Sequence, residues 1–344
     1  MINVSIMGAT GYAGVELVRL LLTHPQVKLS HLSSVSFEGK PISEIYPALH
    51  GICDELLTGE EGLYEDTDVL FTSLPAGLSE PVAKKCAEKG ILLIDLGADF
   101  RLTDPASYEK WYGRAYSEPA LHEKAAYCIP ELHGQRLKTA KIIGNPGCYP
   151  TSIALAIAPA LTGGLIKAQG IVIDSKSGVT GAGRGLTQTS HFPDCNEAFS
   201  PYKVASHRHT PEIEQTLSEL AGSSLTVTFV PHLLPLNRGI LSTLYTELTA
   251  PQQLPELVEK WKAFYADKPF VRVLAAGETA NLRNVKYSNY CDISLHLDAR
   301  AGRLILVSAI DNMVKGAAGQ AIQNMNIAMG LPETEGLMMV PPAF

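Results

Sequence analysis

Along the first half of the chain, short and continuously apolar runs alternate with stretches whose apolar positions recur at helical spacing. NVSIMG (3–8), VKLSHLSS (27–34), DVLFTSLP (68–75), ILLIDLG (91–97) and KIIGN (141–145) read as strands. Apolar runs without polar alternation suit a parallel sheet covered on both faces. Between the first two, YAGVELVRLLLT (12–23) gathers Val15, Leu17, Val18, Leu21 and Leu22 on one helical face. SEPVAKKCAEKG (79–90) predicts a second helix, with Ser79 as N-cap and Gly90 as C-cap. This alternation implies right-handed crossovers and a doubly wound sheet.

From about residue 165 the pattern changes. GLIKAQGIVIDSKSG, LTVTFVPHL, GILSTLYTEL, CDISLHLD and RLILVSAID are longer, and several alternate apolar with polar residues. They predict a mixed or mostly antiparallel sheet with one wetter face. TPEIEQTLSELAG and PELVEKWKAFYAD are the helices of this half. A last helix, VKGAAGQAIQNMNIAMG (314–330), carries Val314, Ala317, Ala318, Ala321, Ile322 and Met325 as a narrow stripe, and is expected to return to the first domain. The division expected is therefore 1–147 with 313–344, and 148–312.

Composition narrows the function classes. The chain has 344 residues, 46% hydrophobic and 18% charged, a globular balance that favours two domains. A formal net charge of −7 without a Lys/Arg-rich run argues against nucleic acid as a partner. The start MINVSIMGATG lacks the layout of a signal peptide, and no apolar stretch approaches membrane-spanning length. A cytoplasmic protein without membrane partners is expected. The six cysteines show no CxxC pair or metal-ligand spacing, so neither a disulfide framework nor a metal site is expected.

The first candidate chemistry is the turn Gly8-Ala9-Thr10-Gly11-Tyr12-Ala13-Gly14, between the first strand and the first helix. Glycines there permit a tight turn and let backbone amides approach a pyrophosphate at the helix N-terminus. The second strand ends in Ser33 and Ser34, with no carboxylate before Glu38. A carboxylate at that place would hold a ribose 2′-hydroxyl and repel a 2′-phosphate, so NADP is expected over NAD.

The second is Cys148, in IIGNPGCYPTSIALAIAPAL, between the end of a strand and a helix signalled by Pro150, Thr151 and Ser152. The positive end of a helix favours thiolate over thiol, and amides there stabilise an oxyanion. ASHRHTPEIEQ supplies His207 and His209 as acid/base candidates, ahead of a helix with Thr210 as N-cap and Pro211 at its first position. Arg208 between them is a candidate anion ligand. In the Gly-rich stretch SKSGVTGAGRG, Ser175, Ser177, Thr180 and Arg184 could cradle a phosphate, and Arg101 of DLGADFRL ends a strand near the same cleft.

GATGYAG, DLGADFR, GNPGCYPT, SGVTGAGR, HRHTPEIEQ, FVPHLLPLNRGIL and DNMVKGAAGQAIQNMN, in that order, resemble the N-acetyl-γ-glutamyl-phosphate reductase family of arginine biosynthesis. Aspartate-semialdehyde dehydrogenases are similar at a greater distance. The resemblance implies a Rossmann-type domain plus an α+β catalytic and oligomerisation domain, as in glyceraldehyde-3-phosphate and aspartate-semialdehyde dehydrogenases. It implies an acyl phosphate substrate, NADPH as reductant, a thioester on Cys148, proton handling by His209 or, second, His207, and a homodimer or homotetramer. It places Gly8, Thr10, Gly11, Tyr12, Ala13 and Gly14 at the pyrophosphate, Ser33 and Ser34 at the 2′-phosphate, and Ser73, Pro75, Gly181 and Asn312 elsewhere along the cofactor. Asn145, Arg101, Ser177, Arg184 and Arg208 are its substrate-binding candidates. The family more often shows ALPHG and DLSADFR where this chain has SLPAG and Gly97. The same motifs would serve an enzyme reducing the aminoadipyl phosphate of lysine biosynthesis. A non-catalytic NADP(H)-binding regulator would need Cys148 to be merely structural.

Overall fold

The apolar runs of the first half pair into one parallel sheet. In the computed structural model, which describes residues 1–343, β1 (Ile2–Met7), β2 (Val27–Ser33), β3 (Val69–Thr72), β4 (Leu92–Asp95), β5 (Ala125–Tyr127) and β6 (Ile142–Gly144) lie in the order β2-β1-β3-β4-β6-β5. Every pairing is parallel. β3, β4 and β6 are buried at every position, which is why their sequences show no alternation. β5 is a three-residue strand that carries no periodic signal of its own. From β1 the chain goes out to β2 and comes back to β3 on β1's other side. The order thus reverses between β1 and β3, the point where open α/β sheets bind ligands.

The helix Tyr12–Leu21 starts directly after the glycine turn. Ser79–Lys89 ends, as its sequence predicts, on Gly90 in the left-handed region (φ +73°). Its start corrects the expectation. Leu78 occupies the N-cap position, and Ser79 is the first helical residue, its hydroxyl donating to Asp95 Oδ1 at 2.8 Å. The buried carboxylate at the end of β4 outcompetes the local backbone for that hydroxyl.

The second unit holds a seven-stranded sheet. β7 (Ile171–Gly178), β8 (Ser200–Pro201), β9 (Val227–Leu234), β10 (Ile240–Glu247), β11 (Val271–Val273), β12 (Cys291–Asp298) and β13 (Arg303–Ile310) lie in the order β11-β12-β13-β10-β7-β9-β8. β11/β12 and β7/β9 are parallel and the other pairs antiparallel, the mixed sheet the alternation predicts. Burial alternates along β10, so one face is covered. The cover is the helix Cys148–Thr162, buried from Tyr149 to Leu161.

By contacts the units are Met1–Pro146 with Ala317–Met338, and Gly147–Gly316 with the residues from 339 on. The last helical stretch is divided between them. Val314–Ala318 is wound as π-helix and Gly319–Ala328 as α-helix, where the periodicity alone predicts one continuous helix. Among the described residues, no helix is long and apolar enough to cross a membrane.

Hydrogen bonds, not only hydrocarbon, seat the Cys148–Thr162 helix on its sheet. Ser152 Oγ lies 2.6 Å from Ser308 Oγ and donates to Ser242 Oγ at 3.1 Å, and Ser242 Oγ is 2.7 Å from Ser175 Oγ. Pro159 inside the helix has no N–H for the carbonyl of Leu155. Tyr265 OH donates to that carbonyl at 2.6 Å, and Trp261 Nε1 to Ala156 O at 2.9 Å. Tyr265→Phe should therefore leave a buried acceptor unsatisfied and cost about 1–3 kcal/mol, read as a lower urea midpoint. An unchanged midpoint would show that the proline gap needs no partner.

Candidate active site

At the switch point of the first unit, the turn after β1 is built on close backbone approach. Gly8 has φ +87°, and the amides of Gly8 and Ala9 donate to Ser33 O at 3.1 and 2.9 Å. A Cβ on Gly14 would stand 2.1 Å from Gly8 O, so only glycine lets the helix close on the turn. Tyr12 and Ala13 begin that helix and stay half-buried. Thr10 Oγ1 and Ser34 Oγ are 2.7 Å apart, and Tyr46 OH donates to Thr10 O at 2.9 Å. Ser33 meets the turn through its carbonyl, where the sequence pointed to its hydroxyl. Glu38, the first carboxylate after β2, lies against Gly59, whose Cβ would be 2.9 Å from its Oε1. A turn of closely approaching backbone at a helix start, with hydroxyls rather than a carboxylate at the end of β2, fits a dinucleotide carrying a 2′-phosphate.

In the second unit Cys148 is the first residue of its helix, two positions earlier than Pro150 suggests, with Gly147 as an extended N-cap. Gly147 N donates to Glu212 Oε1 at 2.7 Å, and Thr151 N closes on Gly147 O at 3.0 Å. Pro150 brings no N–H to the first turn. A Cβ on Gly316 would be 2.7 Å from Cys148 Cβ, so this glycine presses directly on the cysteine. Cys148 is half-buried.

Next to the cysteine in sequence, Tyr149 gathers a second phenol and two imidazoles. Tyr149 OH and Tyr202 OH are 3.1 Å apart. The Tyr149 ring meets His207 edge-on at 5.5 Å and His209 at 5.8 Å, and the two imidazoles are 4.9 Å apart. Burial pushes the Tyr202 phenol up to about 12, the Tyr149 bond opposing this and a charge on Cys148 adding to it. His207 Nδ1 accepts from His209 N at 3.0 Å, which leaves its proton on Nε2, 3.3 Å from Tyr202 OH. Burial, then the positive charges of Lys203 and Arg208, lower the His207 pKa to about 4. His209 is half-buried and is itself the N-cap of the helix Thr210–Ala221. The expected cap, Thr210, is thereby shifted into the helix together with Pro211.

The other expected site residues divide by unit. Ser177, Gly181 and Asn312 lie together in the second. Asn312 Oδ1 accepts from Gly239 N at 2.7 Å, its Nδ2 donates to Thr180 Oγ1 at 3.0 Å, and a Cβ on Gly181 would be 3.7 Å from that nitrogen. Ser177 Oγ donates to Gly178 O at 2.9 Å. Arg184 and Arg208 are exposed. Arg101 and Asn145 belong to the first unit and are buried. Arg101 Nε and Nη2 donate to Asn145 O (3.0 Å) and Leu96 O (2.7 Å), and Asn145 Oδ1 accepts from Asn324 Nδ2 at 3.0 Å. Ser73 N donates to Met7 O at 2.9 Å, and Pro75 is exposed. Tyr149, Tyr202, Glu212 and Gly316 escaped the sequence reading. Tyr149, Glu212 and Gly316 stand inside the quoted motifs, but nothing local marks Tyr202.

Sequence models of the semialdehyde dehydrogenase family match both parts, the NAD binding domain over residues 3–140 and the dimerisation domain over 148–312. An N-acetyl-gamma-glutamyl-phosphate reductase of Brachyspira hyodysenteriae is 62% identical over 352 residues, covering 100% of each chain. One of Clostridium beijerinckii is 52% identical over 344 residues, again covering 100% of each. Among solved structures, aspartate semialdehyde dehydrogenase II of Vibrio cholerae complexed with ASA is similar in fold, with TM-score 0.74 at 17% identity over 96% of this chain and 98% of that one. The Candida albicans aspartate semialdehyde dehydrogenase with NADP has TM-score 0.69 at 16% identity, over 96% and 98%.

His207 makes a pH prediction. Because its folded pKa is lowered from 6.5 to about 4, the unfolded chain binds a proton between those values that the folded protein refuses. Its contribution is whole above pH 6.5 and is lost as the pH falls towards 4. Urea unfolding over that range should show His207→Asn gaining on the wild type by about 2–3 kcal/mol as acid is added. A difference independent of pH would mean that His207 titrates normally.

Proposed function

The chain belongs to the semialdehyde dehydrogenase family, in its N-acetyl-γ-glutamyl-phosphate reductase branch, and from that premise we propose the following reading of its site. The enzyme reduces N-acetyl-γ-glutamyl phosphate to N-acetylglutamate 5-semialdehyde and phosphate, in arginine biosynthesis, with NADPH as reductant. The position of Cys148 carries the mechanism: a half-buried cysteine on the first turn of a buried helix, beside Tyr149, whose ring meets both imidazoles.

His209 takes the proton of Cys148, and Sγ attacks the acyl carbon of the substrate. First-turn amides of the helix meet the oxyanion that forms. The C–O bond to the phosphate breaks, phosphate leaves with the proton from His209, and the acyl group stays on sulfur as a thioester. NADPH, when bound, supplies the hydride that brings this carbon to the aldehyde level. The C–S bond then breaks, the aldehyde departs, and sulfur leaves as thiolate. His207 is the poorer proton carrier, because its Nδ1 accepts from the backbone and its pKa of about 4 lies too low for a base near neutrality. Its place against Tyr149 and Tyr202 suits it to orient His209 and the phenols.

Gly8, Thr10, Gly11, Tyr12, Ala13 and Gly14 would hold the pyrophosphate, with Ser34 and Ser33 beside the 2′-phosphate. Asn312 and Gly181 would face the nicotinamide end, with Ser177, Arg184 and Arg208 as substrate ligands. Arg101 and Asn145 would be further substrate ligands, with Arg101 Nε held on Asn145 O at the end of β6. The family's dimerisation domain spans the second unit, and a cytoplasmic homodimer or homotetramer is the assembly proposed.

The reverse reaction, N-acetylglutamate semialdehyde with phosphate and NADP, tests this directly. Cys148→Ser should lose at least about a thousandfold in kcat, and His209→Asn about a hundred- to ten-thousandfold, both binding NADPH as the wild type does. Retained activity in Cys148→Ser would remove the thioester. A preference for NAD over NADP would overturn the argument from Ser33 and Ser34.

A further inference from the structure

The segment after β3, residues 73–79, forms the other wall of the switch point. Ser73 O lies so close to the glycine turn that a Cβ on Gly8 would be 2.6 Å from it, and Ser73 Oγ would be 3.9 Å from a Cβ on Gly11. The far end of the segment is held by two carboxylates that are 0% exposed, Asp95 and Asp99. Asp99 accepts on both oxygens. Its Oδ1 takes Gly77 N at 2.6 Å and Tyr108 OH at 2.7 Å, and its Oδ2 takes Ser79 N at 2.9 Å. Asp95 accepts on Oδ1 alone, from Thr72 Oγ1 at 2.7 Å, Ser79 Oγ at 2.8 Å and Gly97 N at 2.9 Å.

Burying a carboxylate is expensive unless its bonds offset the lost hydration. Leu74 anchors the near end of the loop on the core, whereas at the far end Leu78 is exposed and Gly77 has φ +88°, and there the carboxylate bonds do the holding. Asp99 also supplies, from another segment, the cap that Leu78 cannot give the helix Ser79–Lys89.

We infer that Asp99 is a positioning residue for the cofactor: by holding the amides of Gly77 and Ser79 on its two oxygens, it fixes residues 73–79 across the glycine turn and so sets the affinity for NADPH. The inference rests on the reading of the first unit as the NADPH-binding one. The two carboxylates are not equivalent in it. Asparagine at 95 keeps a carbonyl oxygen for all three donors that Oδ1 accepts. Asparagine at 99 turns an NH2 against a backbone N–H.

Titration calorimetry with NADPH, together with steady-state kinetics, tests it on the full-length enzyme. Asp99→Asn should raise the NADPH Kd and KM about ten- to a hundredfold. Its kcat at saturating NADPH and its KM for the acyl phosphate should stay within about threefold, and Asp95→Asn should stay within about twofold throughout. An Asp99→Asn Kd within about twofold of the wild type overturns the inference while leaving the cofactor reading intact. A wild-type enzyme that does not bind NADPH overturns the cofactor reading itself. Should Asp99→Asn fail to fold, amide exchange in the wild type reads the same contacts. Gly77 and Ser79 should exchange slowly without ligand, and residues 73–79 should slow further when NADPH is added. Fast exchange at Gly77 and Ser79, or no response to NADPH, overturns the inference.

Discussion

The start of a buried helix is the constraint around which the catalytic unit is arranged. The helix Cys148–Thr162 is covered along nearly its whole length, so its first amides cannot be left to water. Glu212, itself buried, comes from another helix to take Gly147 N. That carboxylate shares the positive end of the helix with the sulfur of Cys148, and Gly316 closes the space behind the cysteine. The thiol is therefore held at one place by backbone contacts rather than by a long side chain with freedom to move. The serine contacts, Trp261 and Tyr265 hold the rest of the helix, so the position of the nucleophile is set along the whole element.

The dinucleotide unit answers the same physical demand in a similar way. There too, helix starts and tight connections expose amides, and carboxylates from elsewhere in the sequence take them up. Asp99 receives Gly77 and Ser79, while Asp104 caps its own helix by accepting from Ala106 and Ser107. Glycine does the complementary task. At Gly8 and Gly14 backbone approaches backbone where any side chain would collide, leaving a surface of N–H groups suited to a phosphate. Both units thus separate amides that the fold consumes from amides that a ligand can use.

The histidine pair shows why position outweighs residue type. His207 and His209 are two residues apart and sit in one polar-looking stretch, yet burial suppresses protonation of the first, whose Nδ1 is taken by the amide of the second. The second stays half-buried at a helix start. The place where the first imidazole packs, and not its residue type, sets its protonation, because burial disfavours its charged form.

Periodicity was enough to foresee the parallel sheet, the mixed sheet and the longer helices. They rest on local physics: buried strands are apolar throughout, half-covered ones alternate, and helices carry a stripe. The glycine turn and the cysteine corner were legible for a related reason, since strand–turn–helix junctions announce themselves in glycine, proline and an isolated nucleophile. What the chain order could not reveal was which distant group meets which. Ser79 looked like a cap until Asp95 claimed its hydroxyl, and Thr210 looked like one until His209 took its place. Arg101 and Asn145, marked by sequence as substrate candidates, also bond to each other and to Asn324 across long stretches of chain. Tyr202, Glu212 and Gly316 became site residues only in three dimensions. A hydrogen bond between residues tens of positions apart leaves no periodic trace in the sequence, because its geometry exists only after the elements have packed.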